Sequence, residues 1–356
     1  MFLSFCGARH HLKMMVDEIV LCDILHIIKT VELKKLIIRG KRMYADKLLM
    51  SSSRTKGIVM VLIGAVLWGI SGTVAQYLFQ YSGFSPEWLV VVRLLISGTI
   101  LLLLASIKGK QRIGDIWKDK RDVSSLVLFS IFGMLAVQYT FFAAINHSNA
   151  ATATILQYLA PAMISCFLAI RAKRLPTLKE FAAVILALVG TFLLVTKGSI
   201  SSLSISGIAL FWGLASAVAL AYYTLQPLRL LAKWGSAIVI GWGMLIGGVS
   251  FSFVHPPWNF VGQWSLNAFL AVLFIIIFGT LIAFFCYLES LKYISASETS
   301  ILASVEPLSA AFLSVVWLHV SFGLEEWLGT FCIISTIFIL SFVKNKEKSK
   351  LNSLSA

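Results

Sequence analysis

Charged residues are scarce in this sequence. Asp, Glu, Lys and Arg make up only 13% of its 356 residues, whereas hydrophobic residues make up 58%. The mean hydropathy is +0.88. Because a soluble domain needs a largely polar surface, this composition excludes the ordinary soluble enzyme or binding module and indicates an integral membrane protein.

Cysteine and histidine are too few and too scattered for a metal site or a disulfide framework. The five cysteines show no CxxC spacing, and the six histidines form no ligand pattern with them. The sequence also lacks HExxH, GxSxG and P-loop motifs and paired acids inside apolar runs. We therefore predict no metal, no cofactor, no enzymatic activity and no ATP-driven transport by this chain alone.

Long apolar runs dominate the chain from Gly57 onward. They alternate with short polar breaks, and each has about the twenty residues that a helix needs to cross a bilayer. The pattern predicts an all-α integral membrane fold with ten transmembrane helices, at about 57–80, 86–107, 123–145, 150–170, 178–196, 205–226, 236–254, 265–289, 298–318 and 326–343.

The first 49 residues form a different kind of segment. Charges interrupt every apolar stretch there, and no signal-peptide core is present. Two interpretations stay open: an amphipathic helix around Val16 to Ile38 on the membrane surface, or a start-site artefact, with translation beginning at Met50. At the other end, residues 344–356 are predicted to form a basic cytoplasmic tail.

The net charge of +14 is distributed unevenly across the predicted membrane. Nineteen Lys and Arg residues fall in loops on one side, and a single one, Lys197, falls on the other. Positively charged loops stay in the cytoplasm. We therefore predict a multi-pass protein of the cytoplasmic membrane with both termini cytoplasmic, and we interpret the charge as an orientation signal and not as a nucleic-acid surface.

An internal repeat divides the spans into two sets of five. AVLWGISGTVA (65–75) aligns with ALFWGLASAVA (209–219), and ATATILQYLAP (151–161) aligns with SETSILASVEP (297–307). The two alignments are separated by nearly the same number of residues, which predicts a duplication with one repeat in residues 50–200 and the other in 201–343. Because five is odd, the second repeat is predicted to be inverted, and equivalent loops have the reversed charge that inversion requires. Inverted repeats are typical of secondary transporters.

The order of these features resembles the EamA-type branch of the drug/metabolite transporter superfamily, over Met50 to about Val343. The residues that carry the resemblance are a WG pair in the first helix of each half, an arginine in the second span, and a proline in the fourth and ninth spans: Trp68, Gly69, Trp212, Gly213, Arg93, Pro161 and Pro307. The resemblance implies secondary transport, frequently export, of small metabolites, amino acids or drugs. An importer and a non-transporting membrane scaffold stay open as alternatives.

Two charged residues lie inside predicted spans. Glu306 is the acid near the middle of a span, and Arg93 is the basic residue inside an apolar run. An unpaired charge at the bilayer centre costs roughly 2.5–3.5 kcal/mol on insertion scales. We predict that both face a central polar cavity, where Glu306 holds a substrate amine or a proton and Arg93 holds a substrate carboxylate. A static salt bridge between them, or an Arg93 that reaches to the membrane interface, stays open.

The remaining candidate residues fall into three groups. Gln157 and Tyr139 are predicted to line the same cavity, and the prolines at 161 and 307 to kink their helices along the transport path. The two WG pairs are predicted to serve helix packing, because small residues let helices approach closely in lipid. The predicted partners are a small-molecule solute and the bilayer, with protons left open, and the protein is expected to be a monomer or homodimer.

Overall fold

The computed structural model describes residues 54–107, 113–171, 177–197, 205–290 and 302–336, together with positions 173, 175, 293, 294, 299, 338 and 339. The predicted N-terminal extension, the basic tail and the predicted boundary between the repeats lie outside these residues. The chain divides into two compact units, residues 1–56 and 57–356. Nearly all of the described helices belong to the second unit.

The described residues form helices and connecting loops, and no strand occurs among them. In chain order the helices are α1 (Arg54–Tyr81), α2 (Pro86–Ile107), α3 (Lys120–His147), α4 (Ala150–Arg171), α5 (Leu178–Thr196), α6 (Gly207–Leu225), α7 (Leu228–Trp234), α8 (Ser236–Ser252), α9 (Leu266–Tyr287), α10 (Val305–Val316) and α11 (324–336).

Seven of these helices, α1 to α6 and α9, are long and apolar enough to cross a membrane. The helices α8 and α10 are apolar but shorter. The prediction of an all-α, multi-pass membrane protein is thus confirmed. The count of ten spans and their inverted arrangement stay predictions.

Local sequence sets several helix ends. Pro86 begins α2, at a position where a backbone N–H would have no acceptor within the helix, so proline loses no hydrogen bond there. Glu87 follows in the first turn, where the helix dipole has its partial positive charge. Before α5, Thr177 and Glu180 form a reciprocal capping box. The Asn149 side chain accepts a hydrogen bond at the start of α4. Such caps accept hydrogen bonds from backbone N–H groups at the helix start, for which lipid offers no acceptor. The Pro86 and Thr177 signals also explain why α2 and α5 begin at the predicted residues.

The helices that the repeat makes equivalent pack in matching pairs. Helix α2 packs along α8, which is its counterpart in the second repeat. Gly190 of α5 lies against Gly329 of α11, the fifth helix of each predicted repeat. Helix α6 packs against α3 and α4, while α1 packs against α9 and α10. In each predicted repeat, the first helix therefore contacts the third and fourth helices of the other predicted repeat.

Three of the long helices, and the segment that leads into α10, are irregular at nearly matching positions. A π-helical stretch, Phe129–Leu135, interrupts α3, and another, Ile277–Ile282, interrupts α9. Helix α4 is broken by a turn at Tyr158 and Leu159, and a turn at Ser304 precedes α10. Because Ser304 is the repeat equivalent of Tyr158, the third and fourth helices of both predicted repeats deviate at nearly the same places. Such deviations are frequent at functional sites.

Candidate functional site

The break before α10 centres on Pro307. Proline has no N–H, so the carbonyl group of Ala303, four residues earlier, cannot receive the usual helical hydrogen bond. The hydroxyl group of Tyr158, from the break in α4, donates to this carbonyl oxygen at 2.8 Å. The same hydroxyl oxygen lies 3.0 Å from Oε2 of Glu306. The proline, the acid and the tyrosine therefore form one contact group between α4 and α10.

The number of protons in this group decides how many of its hydrogen bonds can form. The Tyr158 hydroxyl has one hydrogen, and the Ala303 carbonyl oxygen can only accept. If Glu306 is ionised, one hydrogen serves two acceptors. If Glu306 carries a proton, it donates to the tyrosine oxygen while the tyrosine donates to Ala303, and both bonds form. One proton on Glu306 would therefore complete the hydrogen bonds of this group. Both side chains are buried, and each has 8% of its surface exposed.

The break in α4 also contacts α6. Pro161 leaves the carbonyl group of Gln157 without its helical donor, and the Gln157 side chain donates from Nε2 to the hydroxyl oxygen of Ser216 at 2.6 Å. Gln157 and Ser216 are both buried. Adjacent residues of α4 thus bind α6 on one side and α10 on the other, so a movement of α4 would alter both contacts.

Helix α1 approaches the Glu306 backbone at Gly69. A Cβ atom at this position would lie 2.7 Å from the carbonyl oxygen of Glu306 and would overlap the hydroxyl oxygen of Ser309. That hydroxyl group donates to the same carbonyl oxygen at 2.8 Å. At the equivalent place in α6, a Cβ atom on Gly213 would meet the side chain of Leu156. Both glycines lie at close helix contacts, but only Gly69 meets backbone atoms.

The two tryptophans before these glycines pack against aromatic rings of the third helix of the other repeat. Trp68 lies 5.0 Å from the ring centroids of both Phe284 and Tyr287. Trp212 lies 5.3 Å from the ring of Tyr139 in an edge-to-face arrangement. Aromatic pairs at such distances stabilise packing beyond their area alone. The WG pairs therefore join α1 to α9 and α6 to α3.

We expect Gly69→Ala to destabilise the protein more than Gly213→Ala. At Gly69 the new methyl group meets backbone atoms of Glu306 and Ala310, whereas at Gly213 its nearest neighbours are side-chain atoms of Leu156, which are easier to displace than a helix backbone. Overpacking of this kind costs about 1–3 kcal/mol. Thermal unfolding of the detergent-purified variants measures the difference, and equal melting temperatures for the two variants would contradict the expectation.

Arg93 and Tyr139 lie in contacts of their own. The Arg93 guanidinium lies 4.6 Å from the ring centroid of Phe142, and no ion pair or hydrogen bond joins it to Glu306 within the described part of the chain. The alternative of a static Arg93–Glu306 salt bridge is therefore absent there. The Tyr139 hydroxyl donates to Oε1 of Glu87 at 3.2 Å, near the start of α2. Among the described residues, neither Arg93 nor Tyr139 therefore forms a hydrogen bond or ion pair with Glu306.

Asp122 is a buried acid that the sequence analysis missed. Its carboxylate accepts hydrogen bonds from Arg229 at 2.5 Å, Lys233 at 2.6 Å and the Trp234 indole at 2.9 Å. Asp119 lies 3.4 Å from the same lysine. We call these five residues the Asp122 cluster. It ties the start of α3 to α7, on the side that the loop charges predict to be cytoplasmic.

The charges of the Asp122 cluster are set by the hydrogen bonds to its buried carboxylate. The Asp122 side chain is fully buried, while Arg229 and Lys233 remain 62% and 46% exposed. The hydrogen bond to Asp122 raises the pKa of Lys233 above its ordinary value, so this lysine stays charged at physiological pH. The cluster is therefore an ionic contact between the two predicted repeats.

Aromatic rings make the corresponding contact on the opposite side. Phe84 and Trp88, at the connection between α1 and α2, pack against Phe260 and Trp264, which precede α9, with ring centroids 5.0–5.7 Å apart. We call these four residues the aromatic cluster. The indole N–H of Trp88 also donates to the carbonyl oxygen of Pro257 at 2.8 Å. Like the Asp122 cluster, it joins the start of a third helix to the connection between the first two helices of the other repeat.

A third repeat match could have located the π-helical stretches. The segment IFGML (131–135) aligns with IFGTL (277–281) at the same residue separation as the alignment that contains Pro161 and Pro307. Both segments lie in the π-helical stretches. Gly279 packs directly on Ser71 of α1.

Among the described residues, no three His, Cys, Asp or Glu side chains lie close enough to hold a metal ion.

A model of the EamA-like transporter family matches the chain twice, over residues 55–196 and 207–342. The chain belongs to this family. The resemblance inferred from the WG pairs, Arg93 and the two prolines is therefore confirmed, and the two matched segments make the protein a membrane transporter by family.

Several relatives of this EamA-like transporter are named as transporters. The uncharacterized inner membrane transporter YicL of Salmonella typhimurium is 43% identical over 294 residues, covering 82% of this chain and 97% of that protein. The uncharacterized transporter YwfM of Bacillus subtilis is 26% identical, covering 82% and 95%. A solved crystal structure matches 82% of this chain and 98% of its own with a TM-score of 0.56 and 17% identity, which shows a shared fold only.

Proposed function

We propose that this EamA-like transporter is a secondary active exporter of small metabolites, amino acids or amphiphilic drugs across the cytoplasmic membrane. It works by alternating access, with both termini in the cytoplasm. Glu306 binds a proton or a substrate amine in the centre of the path. The observation that carries the proposal is the buried Glu306 carboxyl group, bonded to Tyr158 across the breaks of two helices.

Broken helices and a buried acid are the means by which transporters bind ions and solutes within the membrane. The breaks at Tyr158 and Ser304 free backbone groups there, and such groups are tolerated at that depth where protein or cavity water satisfies them. A proton on Glu306 completes the hydrogen bonds to Tyr158 and Ala303, whereas a substrate amine would replace them. Binding at Glu306 therefore changes the contact between α4 and α10.

The two opposite clusters support alternating access. The Asp122 cluster and the aromatic cluster join equivalent elements of the two predicted repeats, and the predicted topology puts them on opposite sides of the membrane. In a protein with inverted halves, each cluster is the contact that must separate when its side opens. The two family matches, one in each half of the chain, support the same division.

A comparison of growth media tests the proposal most directly. We expect overexpression to raise, and deletion to lower, the level of at least one amino acid, metabolite or added drug in the medium. Purified protein in liposomes should then exchange that solute in counterflow, and an imposed proton gradient should change its rate. A change of the opposite sign in the medium would identify an importer, and the absence of any solute change or counterflow would identify a scaffold.

A further inference from the structure

Arg93 is a buried cation in the interior of α2. Its side chain is 4% exposed, and its Nε atom is buried without a hydrogen-bond partner. The ring of Phe142, from α3, covers the guanidinium at 4.6 Å from the ring centroid. Phe142 is itself 1% exposed and packs edge-to-face on Phe79. The guanidinium is therefore held in place on one face by a rigid aromatic ring.

No anion in the described residues balances this charge. Guanidinium cannot lose its proton in a protein, so Arg93 stays charged however deeply it is buried. Two acids of the membrane-spanning part are engaged with tyrosines, because Glu306 is hydrogen-bonded to Tyr158 and Glu87 accepts a hydrogen bond from Tyr139. A cation–π contact recovers only part of the cost of burying a charge in a membrane. Among the residues that the structure describes, the Arg93 charge therefore lacks a counter-ion.

The alternative in which Arg93 reaches to the membrane surface does not fit this arrangement. Arg93 lies six residues into the membrane from Glu87, or about 9 Å along the helix. A side chain that reached the interface would expose its charged end, whereas that of Arg93 is almost completely buried and lies over Phe142.

We propose that Arg93 is the binding site for the carboxylate of the transported solute. The Phe142 ring lies 4.6 Å from the guanidinium carbon and cannot accept a conventional hydrogen bond from Nε, which has no partner. A carboxylate matches two parallel N–H groups of a guanidinium. This inference rests on the proposed transport function and deepens it, because it restricts the solutes to organic acids and amino acids. A phosphate group of a lipid could bind the same N–H groups, so the test separates the two sources.

Thermal unfolding of detergent-purified protein tests the site. The probes are L-phenylalanine, L-leucine and phenylacetate, each compared with its amide, and phosphatidylglycerol is added separately. We expect at least one acid to raise the melting temperature of the wild type by a few degrees, while its amide does not. We expect the acid-induced shift to vanish in Arg93→Gln and to return in part in Arg93→Lys. Arg121→Gln, the same change at an exposed arginine, should keep the full shift.

The unliganded proteins give a second measurement. A buried charge without a partner predicts that Arg93→Gln melts at or above the temperature of the unliganded wild type, whereas a structural role for the charge predicts a lower temperature. The proposal is overturned if no acid shifts the wild type, if the acid shift survives in Arg93→Gln, or if phosphatidylglycerol alone produces it. A wild type that shifts with an acid but shows no counterflow would instead refute the transport function while leaving the anion site.

Discussion

Replacing Glu306 with glutamine is expected to abolish proton-linked transport and to lower solute flux driven by a proton gradient at least tenfold. Glutamine has nearly the same shape, and its amide group can either accept a hydrogen bond from the Tyr158 hydroxyl group or donate one to it, in place of the Glu306 carboxyl group. It cannot bind a proton or pair with a cationic amine. The helix contact is therefore kept while the chemistry is lost. Liposomes containing a pH-sensitive dye and challenged with amino acids measure the effect.

A second Glu–Tyr pair provides the matched control. Glu87 also accepts a hydrogen bond from a tyrosine, Tyr139, but it lies in the first turn of α2 and not beside a helix break. Glu87→Gln should leave the proton coupling intact. Tyr158→Phe, which keeps the acid and removes its partner, should slow transport and shift its pH dependence. Undiminished proton-linked flux in Glu306→Gln would refute the role assigned to Glu306.

Replacing Asp122 with asparagine is expected to open the side of the protein that carries the Asp122 cluster. Asparagine cannot balance the two cations of α7, and its amide hydrogens would face them. Loss of a buried ion pair costs about 3–5 kcal/mol, but both cations are half exposed here, so we expect about 1–3 kcal/mol. That corresponds to a roughly 5- to 150-fold shift toward the open state.

Alkylation of a cysteine at position 125 measures this opening. Ser125 is half-buried and accepts a hydrogen bond from Gln226 beside the cluster. In a background without the five native cysteines, Ser125→Cys should react several times faster with a maleimide when Asp122→Asn is added. Asp119→Asn is the control, since that acid lies 3.4 Å from Lys233 and is itself 44% exposed. Equal rates in the two aspartate variants would contradict a closing role for Asp122.

Helix positions were largely predictable because they depend on local sequence. Hydropathy located 86–107 and 178–196 at the residues where α2 and α5 begin and end, and Pro86 and the Thr177 cap explain these boundaries. The short α7 was not predicted. Its seven residues follow Pro227 and carry Arg229 and Lys233, and the sequence analysis interpreted those cations only as an orientation signal.

The site was less predictable because its contacts join distant parts of the chain. Glu306 and Pro307 attracted attention since a charge and a helix breaker are rare in an apolar run. Their partner, Tyr158, lies 148 residues away, and nothing in its own surroundings distinguishes it from an interfacial tyrosine. Asp122 was hidden by its six basic neighbours in the loop, because its importance comes from α7, more than 100 residues later.

The unlike chemistry of the two clusters makes the protein sensitive to dissolved ions on one side only. The cations of the Asp122 cluster are half exposed, but they contact the buried acid at 2.5–2.6 Å, which is shorter than the Debye length of about 3 Å at 1 M, so concentrated salt would weaken their attraction only in part. The four rings of the aromatic cluster carry no charge to screen. A cell that loses water concentrates its own ions, and under our assignment of sides this would loosen the inner contact and leave the outer one unchanged. The protein would then favour its cytoplasm-facing form when the cell shrinks.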